Sequence, residues 1–137
     1  MPAHANRRRH VRERITRGEY WIDLIYGYGK LQRVSHILSA SLPESVKRRL
    51  TVNPDISDAD AFKDVPLDEI LNYRKDTEPE IIRLVIQNAS DWDKDSTTVE
   101  DYVDNDLPYD VAQEIVSRVK AALGKLQVPD TVKKNLT

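Results

Sequence analysis

Glu19-Tyr20-Trp21-Ile22-Asp23-Leu24-Ile25-Tyr26-Gly27-Tyr28-Gly29-Lys30-Leu31-Gln32-Arg33-Val34 is the stretch whose reading decides the fold. Its first half alternates. Tyr20, Ile22, Leu24 and Tyr26 fall on one face of an extended chain, and Trp21, Asp23 and Ile25 on the other. Gly27 and Gly29 break that pattern, and the period then changes. Leu31, Val34, Ile37 and Leu38 recur at helical spacing, which predicts a helix over Lys30–Ala40. Upstream, Arg14–Thr16 reads as a partner strand, folded back onto Glu19–Tyr26 by a turn at Arg17-Gly18. Glycine there tolerates the positive φ of a tight turn.

The remaining chain reads as helices. Ser41 and Glu44 have capping-box spacing with Pro43 in the first turn, which predicts a helix over Pro43–Leu50. Residues 51–63 read as irregular around Asn53-Pro54-Asp55. A helix is expected over Pro66–Lys75. Thr77 and Glu80, with Pro79 between them, then suggest a second capping box and a new helix, Glu80–Ala89. The apolar run Ile81, Ile82, Leu84, Val85, Ile86 would equally suit a buried strand; the cap favours helix. Asp91–Ser96 reads as a polar loop and Val99–Val103 as a short turn. Asp106-Leu107-Pro108 opens a long amphipathic helix with Val111, Ile115, Val119, Ala122 and Leu126 as its stripe and Glu114–Arg118 as an i,i+4 pair.

The expected fold is therefore α+β: a small N-terminal β-hairpin or ribbon packed with four or five helices, ending in a long C-terminal amphipathic helix. Residues 1–14 read as a basic arm, 15–127 as one globular domain and 128–137 as a loose tail. The expected core is Trp21, Ile22, Leu24, Leu31, Val34, Leu38, Leu71, Ile82, Val85, Ile86, Trp92, Val111, Ile115 and Val119.

Charge is the least evenly distributed property. The chain has 137 residues, 32% charged and 39% hydrophobic, as expected of a soluble globular domain rather than a disordered one. Its net charge of −2 conceals a division: residues 1–50 hold eleven Lys and Arg against four acids, a net of +7, and residues 51–137 carry −9. Asp91–Asp110 is the acidic extreme, with Asp91, Asp93, Asp95, Glu100, Asp101, Asp104, Asp106 and Asp110 against Lys94 alone. Arg7, Arg8, Arg9, Arg12, Arg14 and Arg17 form the basic extreme. With Trp21 they are the candidate partner-binding residues, placed to dock on an acidic surface or on copies of the same chain. The alternative is nucleic acid, with those arginines on phosphates and Tyr20, Trp21, Tyr26 and Tyr28 as stacking surfaces. A pI near 5.9 and the acidic half oppose it.

Motifs that would indicate chemistry fail on spacing. Asp91-Trp92-Asp93-Lys94-Asp95 begins like a calcium loop, but Ser96 holds the glycine position and Tyr102 that of the bidentate Glu. Gly27-Tyr28-Gly29-Lys30 lacks both the earlier glycine and the following Ser or Thr of a phosphate loop. Ser35 and His36 are neighbours on a helix and diverge, so they do not form a nucleophile and base. His4 and His10 lie too far apart for a metal site. Cysteine is absent, which removes disulfides and thiolate chemistry. Asn88-Ala89-Ser90 and Asn135-Leu136-Thr137 match a glycosylation acceptor, idle without secretion, and the polar, arginine-rich start is not a signal peptide. No apolar run approaches the ~18 residues of a membrane span. No catalytic residue, metal, cofactor or membrane partner is expected.

One arrangement of blocks is similar to a known group. A strand with Trp21-Ile22-Asp23-Leu24 leads through Gly29 into the basic helix Lys30-Leu31-Gln32-Arg33-Val34. Much later, Ile82–Ile86 runs into Trp92-Asp93, followed by Thr97–Glu100, Asp106-Leu107-Pro108 and the amphipathic Val111–Leu123. Over residues 19–125 this resembles the small tail-associated or tail-assembly proteins encoded in the structural modules of long-tailed bacteriophages. The resemblance implies a non-enzymatic virion component or assembly protein, located in the virion or in the host cytoplasm during assembly. It implies other phage structural proteins and copies of itself as partners. It leaves open whether the protein stays in the particle or leaves before completion.

Overall fold

The hairpin at the N-terminal end supplies two strands of a three-stranded antiparallel sheet. The computed structural model describes residues 10–127, and side chains from 12 to 124. Strand β1 (His10–Arg17) pairs with β2 (Tyr20–Gly27) along its whole length, from His10↔Gly27 to Arg17↔Tyr20. The turn is Gly18-Glu19, one residue later than the expected one, with Gly18 at φ +60 as the first central position of a two-residue hairpin. The other side of β2 takes β3 (Ile86–Ala89), in the registers Ile22↔Ala89 and Leu24↔Ile86, with an irregularity between Asp23 and Leu24.

Among the described residues, six helices complete the α+β fold: α1 (Tyr28–Ala40), α2 (Glu44–Val52), α3 (Asp58–Ala61), α4 (Leu67–Val85), α5 (Val99–Asn105) and α6 (Tyr109–Gln127). Helices α1, α4 and α6 pack against one another, and α1 and α4 also pack on β2. The alternation in β2 directs Ile22, Leu24 and Tyr26 into the core, where they are 0%, 1% and 3% exposed. Ile15 of β1 joins them, with Leu31, Val34, Ile81, Ile82, Val85, Tyr102, Val111, Ile115 and Val119 from the helices. Each such side chain contributes ~1.5–3 kcal/mol of burial against the entropy of ordering it. A second, smaller cluster of Val46, Ala61 and Val65 sits under α2 and α3.

Several expectations need correction. Thr77 and Pro79 do not start a helix; α4 runs through both. Thr77 is 1% exposed and its hydroxyl donates back to the Tyr73 carbonyl at 2.7 Å, four residues earlier, so it serves the helix from inside. The expected helix Glu80–Ala89 divides at Val85, because Ile86 turns extended and pairs with Leu24. The apolar run is thus helix first and strand last. Ser41 does not cap α2; it closes α1, and α2 starts at Glu44 after Pro43, without a side-chain cap. The segment 51–63 contains α3, capped by Ser57 on the Asp60 amide at 3.1 Å. The turn at Val99–Val103 is the helix α5, capped by Thr98 on the Asp101 amide at 3.2 Å.

Of the expected core, Leu71 is 51% exposed and lines an open groove with Tyr109 and Gln113 of α6. Trp21, Leu38 and Trp92 are half-buried. Residues 10–14 belong to β1 rather than to an arm, so the body includes them. Arg7, Arg8 and Arg9, the expected tail 128–137 and the Leu126 side chain lie outside the described residues.

Candidate functional site

The expected partner-binding residues meet at β1, and the pleat sorts them. Arg12 and Arg14 share the outer face of the sheet with Thr16; Glu13, Ile15 and Arg17 share the inner one. Of the six arginines that read as one cationic surface, Arg12 and Arg14 are therefore on one face and Arg17 on the other; Arg7, Arg8 and Arg9 lie outside the described residues.

On the outer face Arg14 lies directly opposite Asp23 and diagonal to Trp21. Its Nε donates to Asp23 Oδ1 at 2.7 Å and its Nη2 to Oδ2 at 3.1 Å, a bidentate fork. The same guanidinium lies 3.9 Å from the Trp21 ring centroid. The hydrogen bond to Asp23 raises the Arg14 pKa above its ordinary value. Trp21 is thus partly roofed by Arg14, and Arg12 lies two residues further along the same face, opposite Ile25.

On the inner face the polar end of the sheet is tied to α6. Arg17 pairs with Glu114 and approaches Asp110 at 3.5 Å. Arg118 donates from Nε to Glu114 at 2.9 Å and reaches Glu13 at 3.5 Å. The Tyr26 hydroxyl donates to Glu13 at 2.7 Å. Burial, then the bond to Glu13, pushes the Tyr26 phenol up to about 12. Tyr26 and Tyr20 face the interior, so neither forms a stacking surface; Tyr28 is 63% exposed, and Trp21 lies on the outer face.

The backbone of β1 has one feature that sequence reading did not identify. The strand order is β1-β2-β3, so β1 lies at an edge, and among the described residues no strand pairs with its outer side. A two-residue turn makes Arg17 and Tyr20 a hydrogen-bonded pair, and the ladder alternates from there. His10, Arg12, Arg14 and Thr16 therefore direct N–H and C=O away from β2. The neighbouring strand shows the same phase. The Trp21 amide donates to Ser90 Oγ at 3.0 Å, its carbonyl accepts from the Ser90 amide at 2.8 Å, and the Ile25 carbonyl accepts from Lys30 Nζ at 3.2 Å. Arg17 Nη1 donates to the Thr16 carbonyl at 3.0 Å and closes the turn end of the edge. No local signal marks an edge strand, since edge position depends on where β3 arrives.

A groove of about 620 Å³ lies elsewhere, between α1, α4 and α5, with Ile37, Leu84 and Val99 in it and Arg33, His36 and Arg83 around it. His36 is exposed there. In the acidic stretch, the Asp93 carboxylate accepts the Asp95 amide at 3.0 Å, Asp104 accepts from Arg83 at 3.0 Å, and Asp91 accepts from Tyr102 at 2.6 Å. Among the described residues no cluster of three His, Asp or Glu is placed to hold a metal ion, and no helix is long and apolar enough to cross a membrane. No protein-family model matches the chain, and comparison with curated proteins and with solved structures finds no match.

Proposed function

We propose that the chain is a non-enzymatic structural or assembly protein of a tailed bacteriophage, acting by protein–protein contact. The observation that carries the contact role is the outer edge of β1, which no strand among the described residues covers and which follows directly on the arginine-rich N-terminal sequence. An edge strand offers a row of backbone donors and acceptors to another chain, and flanking cations steer an acidic partner toward it. The phage setting is supported by the blocks around Trp21–Leu24, Trp92-Asp93 and Asp106–Pro108.

The nucleic-acid reading has less support. Arg17 is engaged by Glu114 and Asp110 on the inner face, apart from Arg12 and Arg14, and Asp23 sets a carboxylate against Arg14, so the described arginines do not form one phosphate-binding surface.

The test is quantification of the protein in purified particles and in lysates of assembling cells. A stoichiometric band in particles marks a virion component; presence in lysate complexes alone marks a helper that departs. Replacing Arg7, Arg8 and Arg9 by alanine is expected to reduce co-purification with head or tail proteins several-fold, chiefly through slower association. Unchanged co-purification would remove these arginines from the mechanism.

A further inference from the structure

Helix α4 is longer than the surface that covers it. From Arg74 onward it lies against α5 and α6: Arg74 donates to Glu78 at 3.0 Å and to Gln113 of α6 at 2.8 Å, and Ile82 and Val85 are buried. Its first two turns extend past that contact, with Leu67 69% and Leu71 51% exposed. Tyr109, which opens α6, is 73% exposed and lines one groove of about 410 Å³ with Leu71 and Lys75. Leu67, Leu71 and Tyr109 are three of the five large apolar side chains that stand exposed among the described residues, so exposed apolar surface is gathered here.

The charges beside this ridge identify what covers it. Leu67, Leu71 and Lys75 follow one another at i,i+4. Asp68 and Lys75 are seven residues apart and share one flank of Leu71, whereas Arg74 and Glu78 lie on the other, toward α6. Among the described residues neither Asp68 nor Lys75 is in an ion pair. A second copy crossing antiparallel on a two-fold axis at Leu71 sets Leu71 on Leu71 and matches like flanks. Asp68 lies three residues before the axis and Lys75 four after it, so Asp68 of each copy meets Lys75 of the other within about 1.5 Å along the helix. Leu67 then reaches the corner of the other copy where Tyr109 lies beside Arg74. A parallel arrangement would set Asp68 on Asp68 and Lys75 on Lys75 and is repelled.

We infer that the first two turns of α4 form a two-fold interface between copies of this chain, with Leu71 at the axis and an Asp68–Lys75 pair on each side of it. This goes beyond the contact role proposed above and uses a surface other than the β1 edge.

Sedimentation equilibrium of the full chain should show a monomer–dimer equilibrium, and nothing larger, up to ~100 μM. Leu71→Glu, at a half-exposed position, should raise the dimer dissociation constant at least tenfold with an unchanged circular dichroism spectrum. Asp68→Lys and Lys75→Glu should each weaken the dimer several-fold by setting like charges together, and the double variant should restore it. Because the chain has no cysteine, Leu71→Cys should give a disulfide-linked dimer under mild oxidation, while Lys120→Cys, at an exposed site on α6, should not. That cross-link is the check should Leu71→Glu not fold. A monomer at every concentration, a dimer indifferent to a folded Leu71→Glu variant, or charge reversals that the double variant does not rescue would overturn the inference. So would a monomer whose co-purification with head or tail proteins is lost on Leu71→Glu, since the face would then belong to another protein. The particle test and Arg7/Arg8/Arg9→Ala read a different surface, so either reading can fail without the other.

Discussion

Tyr102 shows how much one side chain carries. It is fully buried, its ring stacks on Trp92 at a centroid distance of 5.2 Å, and the Trp92 indole donates to the Thr97 carbonyl at 2.9 Å. Its hydroxyl donates to Asp91, so the Tyr20 hydroxyl, 2.7 Å away, donates to it. The chain Tyr20–Tyr102–Asp91 ties the acidic loop to the sheet. Tyr102→Phe should cost roughly 1–2 kcal/mol, the loss of hydrogen bonds at a buried site. Tyr102→Ala should cost roughly 3–5 kcal/mol through the cavity; urea denaturation measures both. The phenols also set an alkaline limit. Burial is the first cause raising the Tyr26 and Tyr73 hydroxyls to about 12 and holding Tyr20 and Tyr102 above their ordinary value. Unfolded tyrosines ionise near ~10. Below that pH both states are protonated and the phenol contribution to stability is full. Between ~10 and 12 unfolding releases protons, so stability declines as pH rises. Denaturation midpoints from pH 9 to 12 should show that slope, and Tyr26→Phe with Tyr73→Phe should flatten it. The alternation in β2 put Tyr20 and Tyr26 on the face of Ile22 and Leu24, although the expected core held Trp21 and not them; nothing local linked Tyr20 to Tyr102, which lies 82 residues on.

Helix starts are the elements where local grammar divides most clearly from outcome. Ser57 and Thr98 accept amides from Asp60 and Asp101, as N-caps do. Ser41 and Thr77 have the Ser/Thr-x-x-Glu spacing of a capping box, where Ser57 and Thr98 have Asp at that position, and cap nothing at their expected helices. Ser57→Ala and Thr98→Ala should each cost ~1 kcal/mol, whereas Ser41→Ala should be close to neutral in thermal and urea melts. Pro79 gives the opposite sign. It lies inside α4, where it can donate no N–H to the carbonyl of the preceding turn. Pro79→Ala should stabilise the protein by roughly 1–3 kcal/mol; a proline acting as a helix start would make that change neutral or harmful. The capping-box spacing is ambiguous because it also fits one turn inside a continuous helix. The choice went to continuity because Thr77, Ile81, Ile82 and Val85 bury one unbroken stripe.

Across the whole molecule, the two apolar clusters differ in size and connection. The large one joins the sheet to α1, α4, α5 and α6, whereas Val46, Ala61 and Val65 hold the corner of α2 and α3. Arg49 fastens that corner by donating from Nη1 to the carbonyls of Ala61 at 2.9 Å and Lys63 at 2.5 Å. Amides in α2 and α3 should open at lower free energy than those in β2, α4 and α6, as native-state hydrogen exchange measures. Arg49→Gln should loosen that corner further and leave sheet protection unchanged. Much of this architecture was already written along the chain. The alternation of β2, the glycine break, the amphipathic α1 and the stripe of α6 follow from periods of two and 3.6, which act within a few residues. Tertiary structure decided that Val85 ends α4, that β3 covers one side of β2 and leaves β1 as an edge, and that Arg17 meets Glu114 97 residues later. Those outcomes depend on pairing between segments remote in sequence, whose energies no local pattern contains.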